Sequence, residues 1–145
     1  MSLNARAKGA RGEREIKDLF IELMAGVEAL FPSAPRHSAG VLRNAMQSAI
    51  GGDDLVGIPG LSVEVKFCET LLLRQWWQQC CGQATQRQLM PVLIYRQSRR
   101  PWRVMTYSQL TNGSVHKWVV SDLSIDEFLD WYKSVYHNKL HGFTT

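Results

Sequence analysis

Apolar positions in the first third of the chain recur at helical spacing. Ile16, Leu19, Phe20, Leu23, Met24, Val27 and Leu30 form one stripe, which predicts an amphipathic helix from about Ala10 to Leu30, stopped by Pro32 and Pro35. Arg36 to Gly40 is short enough for a strand or a turn. Val41 to Gly52 has little pattern and ends in a glycine pair, so a flexible loop is expected there. Asp54-Leu55-Val56 reads as a short strand, and Gly57 with Pro59-Gly60 turns the chain. From Leu61 to Cys68 the period changes to two: Leu61, Val63, Val65 and Phe67 point one way, and Ser62, Glu64, Lys66 and Cys68 the other.

Leu72 to Gln88 returns to helical spacing and is rich in Gln and Trp. Met90 to Tyr95 and Trp102 to Tyr107 predict two strands joined by the basic turn Ser98-Arg99-Arg100-Pro101, and Lys117 to Val120 a further short one. Ser124 and Glu127 have capping-box spacing ahead of the stripe Phe128, Leu129, Tyr132, Val135 and Tyr136, which predicts a final helix. The order of helix, strands, helix, strands, helix implies an α/β fold, a mixed central β-sheet flanked by helices. Neither a linker nor a repeat interrupts it. One domain over residues 1–145 is expected, with a core at about 8–110 and the C-terminal helix at 121–137.

Charge adds a modest indication. Lys and Arg number 17 against 13 Asp and Glu, a net charge of +4, which suits a polyanionic partner without specifying one. No apolar run approaches the ~20 residues of a membrane span, and Met1 to Arg14 lacks the apolar stretch of a signal peptide. Cys68, Cys80 and Cys81 are odd in number and lack zinc spacing, so reduced thiols in a cytoplasmic protein are expected.

The chemistry concentrates in Gly52-Asp53-Asp54-Leu55-Val56 and Val63-Glu64-Val65-Lys66. Phosphodiester hydrolysis requires charge neutralisation at the phosphate and an activated water, and carboxylates holding Mg²⁺ supply the first and part of the second. Residues two apart on a strand share a face, so Glu64 and Lys66 project together. Asp54 arrives from the preceding strand, and the Val65 carbonyl is available as a further oxygen ligand. Glu-x-Lys alone is also an ordinary surface ion pair. Here the apolar flanks Leu55-Val56 and Val63, Val65 and Phe67 anchor both strands, so the carboxylates sit on rigid elements. Glu13 extends the core-facing stripe of the first helix and so calls for a metal or cation partner. Asp53 is the alternative ligand should the turn be shifted by one residue.

Lys8-Gly9-Ala10-Arg11-Gly12-Glu13-Arg14-Glu15, Ser38-Ala39-Gly40, Asp54-Leu55-Val56, Glu64-Val65-Lys66 and Pro101-Trp102-Arg103 occur in the order of the archaeal Holliday-junction resolvases, and the chain resembles that family over about Lys8 to Val104. The resemblance implies the restriction-endonuclease-like fold of the PD-(D/E)xK superfamily and a dimeric nuclease that nicks four-way DNA junctions with Mg²⁺, Mn²⁺ substituting. It makes Glu13, Asp54, Glu64 and Lys66 catalytic, with Asp54, Glu64, Val65 and Glu13 around the metal. Two departures stand out. His37, preceded by Arg36, occupies the usual arginine position before Ser38, and the segment 41–52 is longer than that family's connection.

Arg6, Lys8, Arg11 and Arg14, beside Glu13, are the first candidates for phosphate contacts. Arg36, His37, Ser38, Arg99, Arg100 and Arg103 follow. Gln83 is a possible site residue, although a glutamine-rich helix face is the preferred explanation, glutamine being a good helix former. A homodimer is expected from the surplus aromatics Trp76 or Trp77, Trp131, Tyr132 and Tyr136. The alternatives are another nuclease of the same superfamily acting on duplex or single strands in repair, restriction or nicking, and a DNA-binding module without cleavage. A virus-encoded or nucleoid-associated enzyme is compatible with the small size.

Overall fold

The computed structural model describes residues 3–44 and 54–143. Among these residues three helices, α1 (Leu3–Glu28), α2 (Leu73–Arg87) and α3 (Ile125–His141), flank a six-stranded sheet. Its strands are β1 (Leu42–Arg43), β2 (Leu55–Val56), β3 (Leu61–Phe67), β4 (Met90–Arg96), β5 (Arg103–Asn112) and β6 (Val115–Ser124). The strands lie in the order β1-β2-β3-β4-β5-β6. Only β3 and β4 are parallel, because α2 carries the chain back between them; every other pair is antiparallel. The mixed sheet with helices on both sides is what the element order predicts, and it agrees with the restriction-endonuclease-like fold that the resemblance implies.

The two faces of β3 explain the layers. Leu61, Val63, Val65 and Phe67 join Val92, Ile94 and Val104 beneath α1 and α3, whose Ile16, Phe20, Met24, Phe128, Tyr132 and Tyr136 complete the larger core. Leu93 and Tyr95 turn the other way and meet Trp76 and Cys80 of α2 in a second, smaller core. Both faces of β3 are therefore covered, and Ser62 and Glu64 are buried with the rest. This departs from a strand with one wet face.

Several boundaries differ from those the sequence pattern predicts. Helix α1 begins at Leu3, well before Ala10, so Arg6 and Lys8 are helical. It ends at Glu28, which leaves Leu30 outside the stripe and 64% exposed. Residues 37–40 form a 3₁₀ turn. Leu42 and Arg43, expected in a loop, pair with Val56 and Leu55, while Asp53 and the rest of that loop lie outside the described residues. The last two strands are much longer than their apolar alternation suggests, ten residues each. Helix α3 begins as predicted: the Ser124 hydroxyl accepts from the Glu127 N–H, and the Glu127 carboxylate accepts from the Ser124 N–H.

Gly57 sets the approach to β3. Its φ is +88°, and a Cβ there would stand 2.0 Å from the Gly40 carbonyl oxygen, so only glycine lets the β2–β3 turn close against the 3₁₀ segment.

The candidate nuclease site

Strand β2 is only two residues long, and that brevity builds the site. Leu55 stands opposite Val63 and the register ends there, so Asp54 enters from just before the strand, beside Val63 to Val65 of β3. Beyond this point β3 has no strand partner on its β2 side among the described residues. The Asp54 carboxylate takes up the backbone group left over: the Val65 N–H donates to its Oδ2 at 2.6 Å. The Asp54 N–H in turn donates to the Val63 carbonyl, and the Asp54 carbonyl accepts from the Asn44 N–H. Asp54 is thus held by backbone on three sides, 3% exposed, with Glu64 at 1%. Two carboxylates at this depth require a compensating charge.

Lys66, two residues past Glu64, reaches the rim of a cleft of about 970 Å³. Asp54, Val65, Lys66, Glu13, Arg43 and Gln83 are among its walls, with Arg6 and Lys8 of α1 above. The Lys66 ammonium lies 5.9 Å from the centre of the Trp76 ring, a cation–π placement that keeps it directed along the cleft. Glu13 comes in from α1, and the Arg43 Nε and Nη2 both donate to its Oε1 at 3.2 and 3.1 Å. Burial raises the pKa of Glu13, the Asp54 charge raises it further, and Arg43 and Lys66 pull in the other direction. The partner expected for an inward Glu13 is therefore, in this structure, an arginine.

Arg43 is the site residue that sequence reasoning missed. It sits in the segment expected to be a loop, where only the β1–β2 pairing brings it to Glu13. Gln83 lines the cleft, and its buried Oε1 meets no hydrogen-bond donor among the described residues.

The phosphate candidates divide. Arg6, Arg11 and Arg14 are exposed on α1, and Arg11, Lys8 and Arg96 gather around the Phe67 ring at 5.3, 4.7 and 4.6 Å. Lys8 also pairs with Glu69 and donates to Ser98 at 2.9 Å, which ties α1 to the β4–β5 turn across the cleft mouth. This pairing and the Ser98 hydrogen bonds hold the Glu69 carboxyl down to about 2. Arg36, Arg99 and Arg100 are exposed. The others serve the fold as it stands. Arg103 donates to Asp122 at 2.8 Å. Ser38 donates to buried Glu28 through its N–H at 2.9 Å and through its hydroxyl. His37 Nδ1 lies 3.1 Å from the Tyr136 hydroxyl, which itself donates to Glu28 at 2.6 Å.

A family model described as "Phage putative PDDEXK endonuclease" matches residues 4–145. The chain belongs to this family of phage PDDEXK endonucleases. No curated protein matches the sequence. Among solved structures, the Holliday junction resolvase Hjc of Archaeoglobus fulgidus is similar, with 17% identity, 64% of this chain and 85% of that chain covered, and a TM-score of 0.42. That likeness is too loose to transfer a substrate.

The donor set bears on which ion the nuclease would use. On the cleft wall the oxygen donors are Asp54, Glu13 and the backbone of Val65, with no histidine among the described residues, while Glu64 lies buried behind the wall between them. Such donors suit a hard divalent cation. Among the described residues no three His, Cys, Asp or Glu side chains are gathered as a ready-made metal cluster.

Proposed function

We propose that this nuclease is a Mg²⁺-dependent endodeoxyribonuclease that nicks branched DNA, with Asp54, Glu64 and Lys66 at the reacting phosphate and Glu13 beside them. The observation that supports the chemistry is the buried Asp54 carboxylate held by the Val65 N–H at 2.6 Å, which sets it against the Glu64-Val65-Lys66 stretch of β3 on the wall of the cleft. Asp54, Glu64 and the Val65 carbonyl would hold the ion, and Mn²⁺ would replace it. Bound there, the ion would neutralise phosphate charge and acidify a water. Lys66 would orient that water or meet the charge that develops on the phosphate. Glu13, released from Arg43, would add a carboxylate, and Arg43 would then be available to a phosphate oxygen. Arg6, Lys8, Arg11 and Arg14 would guide the strand along α1 into the cleft.

The preference for branched DNA rests on the order of the five motifs, and it implies a two-fold enzyme with two sites, one for each opposing strand. The family's phage description supports a virus-encoded enzyme acting inside the infected cell. The deciding experiment is a panel of labelled four-way junction, flap, linear duplex and single strand, each with Mg²⁺, with Mn²⁺ and with EDTA. Paired nicks confined to the junction and abolished by EDTA are expected. Equal cleavage of linear duplex would leave the nuclease and remove the junction preference, and binding without cleavage in either metal would remove the nuclease assignment.

A further inference from the structure

The distal halves of β5 and β6 leave the body of the sheet as a two-stranded ribbon. Strand β5 pairs with β4 only from Arg103 to Thr106, whereas its pairing with β6 runs unbroken from Arg103↔Ser124 to Asn112↔Val115. An isolated two-stranded ribbon is marginal in water, yet this one carries much of the molecule's exposed apolar surface: Leu110 60%, Val115 69%, Trp118 65% and Val120 46%. Strand β6 is also the last strand of the sheet. It is ten residues long, without proline or bulges, and Lys117 is its only lysine or arginine. Edges usually carry such devices to prevent pairing with another chain. A nucleic-acid surface would need cations, and residues 107–121 supply only Lys117 and His116.

The geometry points to β6 as the surface on which a second copy of this chain docks, edge to edge and antiparallel, with the two-fold axis through Val119. This deepens the two-fold reading above, on which it rests, by naming its interface. The ribbon's turn decides which backbone groups face outward. Gly113 and Ser114 form a two-residue loop with Gly113 at φ +61°, so the Asn112 carbonyl accepts from the Val115 N–H. Alternation then directs the backbone groups of Val115, Lys117, Val119, Ser121 and Leu123 toward β5 and leaves the N–H and C=O groups of His116, Trp118, Val120 and Asp122 on the open edge. A continuous sheet requires facing residues to lie on the same side, so the axis must pass through a residue.

Centred on Val119, the strand meets its copy like for like. Trp118 faces Val120 on one side of the sheet, Val115 faces Leu123 on the other, Lys117 faces Ser121, and His116 faces Asp122. The neighbouring centres fail. Centring on Lys117 opposes two lysines, centring on Trp118 sets Lys117 against Val119, and centring on Val120 sets Trp118 against Asp122 and Lys117 against Leu123. The axis lies far along the sheet from the cleft, so the two active sites stay open.

The test is cross-linking and sedimentation of the full chain. Val119→Cys places two thiols at a non-hydrogen-bonded cross-strand pair with Cα atoms about 4.5 Å apart, within the range of roughly 4.4–6.8 Å that a disulfide accepts. Mild oxidation should give a covalent dimer that the wild type, with its three native cysteines, does not give. Trp118→Lys and Val120→Lys should raise the dimer dissociation constant at least tenfold while an unchanged circular-dichroism melt reports an intact fold. Asp54→Asn should dimerise as the wild type does even though it cannot cut, which separates the interface from the active site. A dimer that Val119→Cys fails to trap and Trp118→Lys fails to weaken would overturn the β6 interface and leave the two-fold reading to another surface. A monomer at tens of micromolar would overturn both without touching the nuclease assignment. Loss of DNA affinity in Trp118→Ala at unchanged mass would make the ribbon a DNA surface and would equally overturn the proposal.

Discussion

At the scale of single residues, the site depends on groups whose ordinary behaviour has been changed by burial. Asp54 is fixed by the Val65 N–H and two further backbone hydrogen bonds, so removing its charge should not disturb its position. Asp54→Asn and Glu64→Gln should each lower cleavage at least a thousandfold, while junction affinity in Ca²⁺ stays within about threefold of wild type, because affinity resides in lysine and arginine on phosphates. Gel-shift and single-turnover measurements on the same preparations check both halves; cutting near the wild-type rate in either variant would remove that carboxylate from the site. Glu28 shows the opposite use of a buried carboxylate. Burial alone would raise its pKa, but the Ser38 hydroxyl, the Tyr136 hydroxyl and the Ser38 N–H all donate to it, and the net shift is downward. A depressed native pKa stabilises the fold above the unfolded value of about 4.3, and that stabilisation disappears as pH falls through the lower native value. The melting-temperature gap between wild type and Glu28→Gln should therefore be widest near neutrality and close below about pH 4. A gap that does not change with pH would assign Glu28 a purely packing role.

At the scale of elements, short pieces do the positioning. The β2–β3 turn brings Asp54 to Glu64 and closes against the Gly40 carbonyl through Gly57. Gly57→Ala combines an unfavourable positive φ with a backbone clash, and should cost about 3 kcal/mol or more in urea unfolding. Cleavage should fall beyond what the reduced folded fraction explains, since the same turn aims the carboxylates. At the start of α3, both halves of the capping box are formed. Ser124→Ala should cost about 1 kcal/mol and leave cleavage per folded molecule unchanged, because no residue of α3 lines the cleft. A selective loss of activity in Ser124→Ala would place the junction of β6 and α3 closer to function than the structure does.

At the scale of the whole molecule, a chain of net charge +4 concentrates its useful cations along α1 and the cleft mouth. Arg11→Ala or Arg14→Ala should weaken DNA binding and reduce the slope of log K against log salt by about 0.9 for each phosphate that is no longer neutralised. An unchanged slope would make that arginine a bystander. The helical aromatics from which the sequence predicts a homodimer are mostly taken up by the monomer itself. Trp76, Tyr132 and Tyr136 are buried in the monomer's own two cores, and only Trp131 of the helical aromatics expected at the interface is more than a third exposed. The larger exposed aromatic is Trp118, on a strand whose sequence gives little hint of its length.

The sequence by itself determined the features whose physics is local or periodic. The apolar stripe of α1, the alternation of β3 and the Ser124–Glu127 cap follow from 3.6-residue and two-residue repeats, and Glu64 and Lys66 share a face because any strand makes them do so. The family pattern is legible for the same reason, since its residues are close in sequence. Tertiary structure alone decided what depends on pairing between distant segments. Arg43 reaches Glu13 only because β1 pairs with β2, an approach across thirty residues that no periodicity encodes. Ser38 and His37 point to Glu28 and Tyr136 because α1, the 3₁₀ turn and α3 meet at one corner. The ribbon of β5 and β6 is extended by the cross-strand pairing of ten residue pairs, so polar residues such as Gln109, Thr111 and His116 lie in strands that their composition does not announce. Backbone pairing overrode side-chain pattern there, and it is the unpaired edge this leaves, rather than any helix, that gives the molecule its open surface.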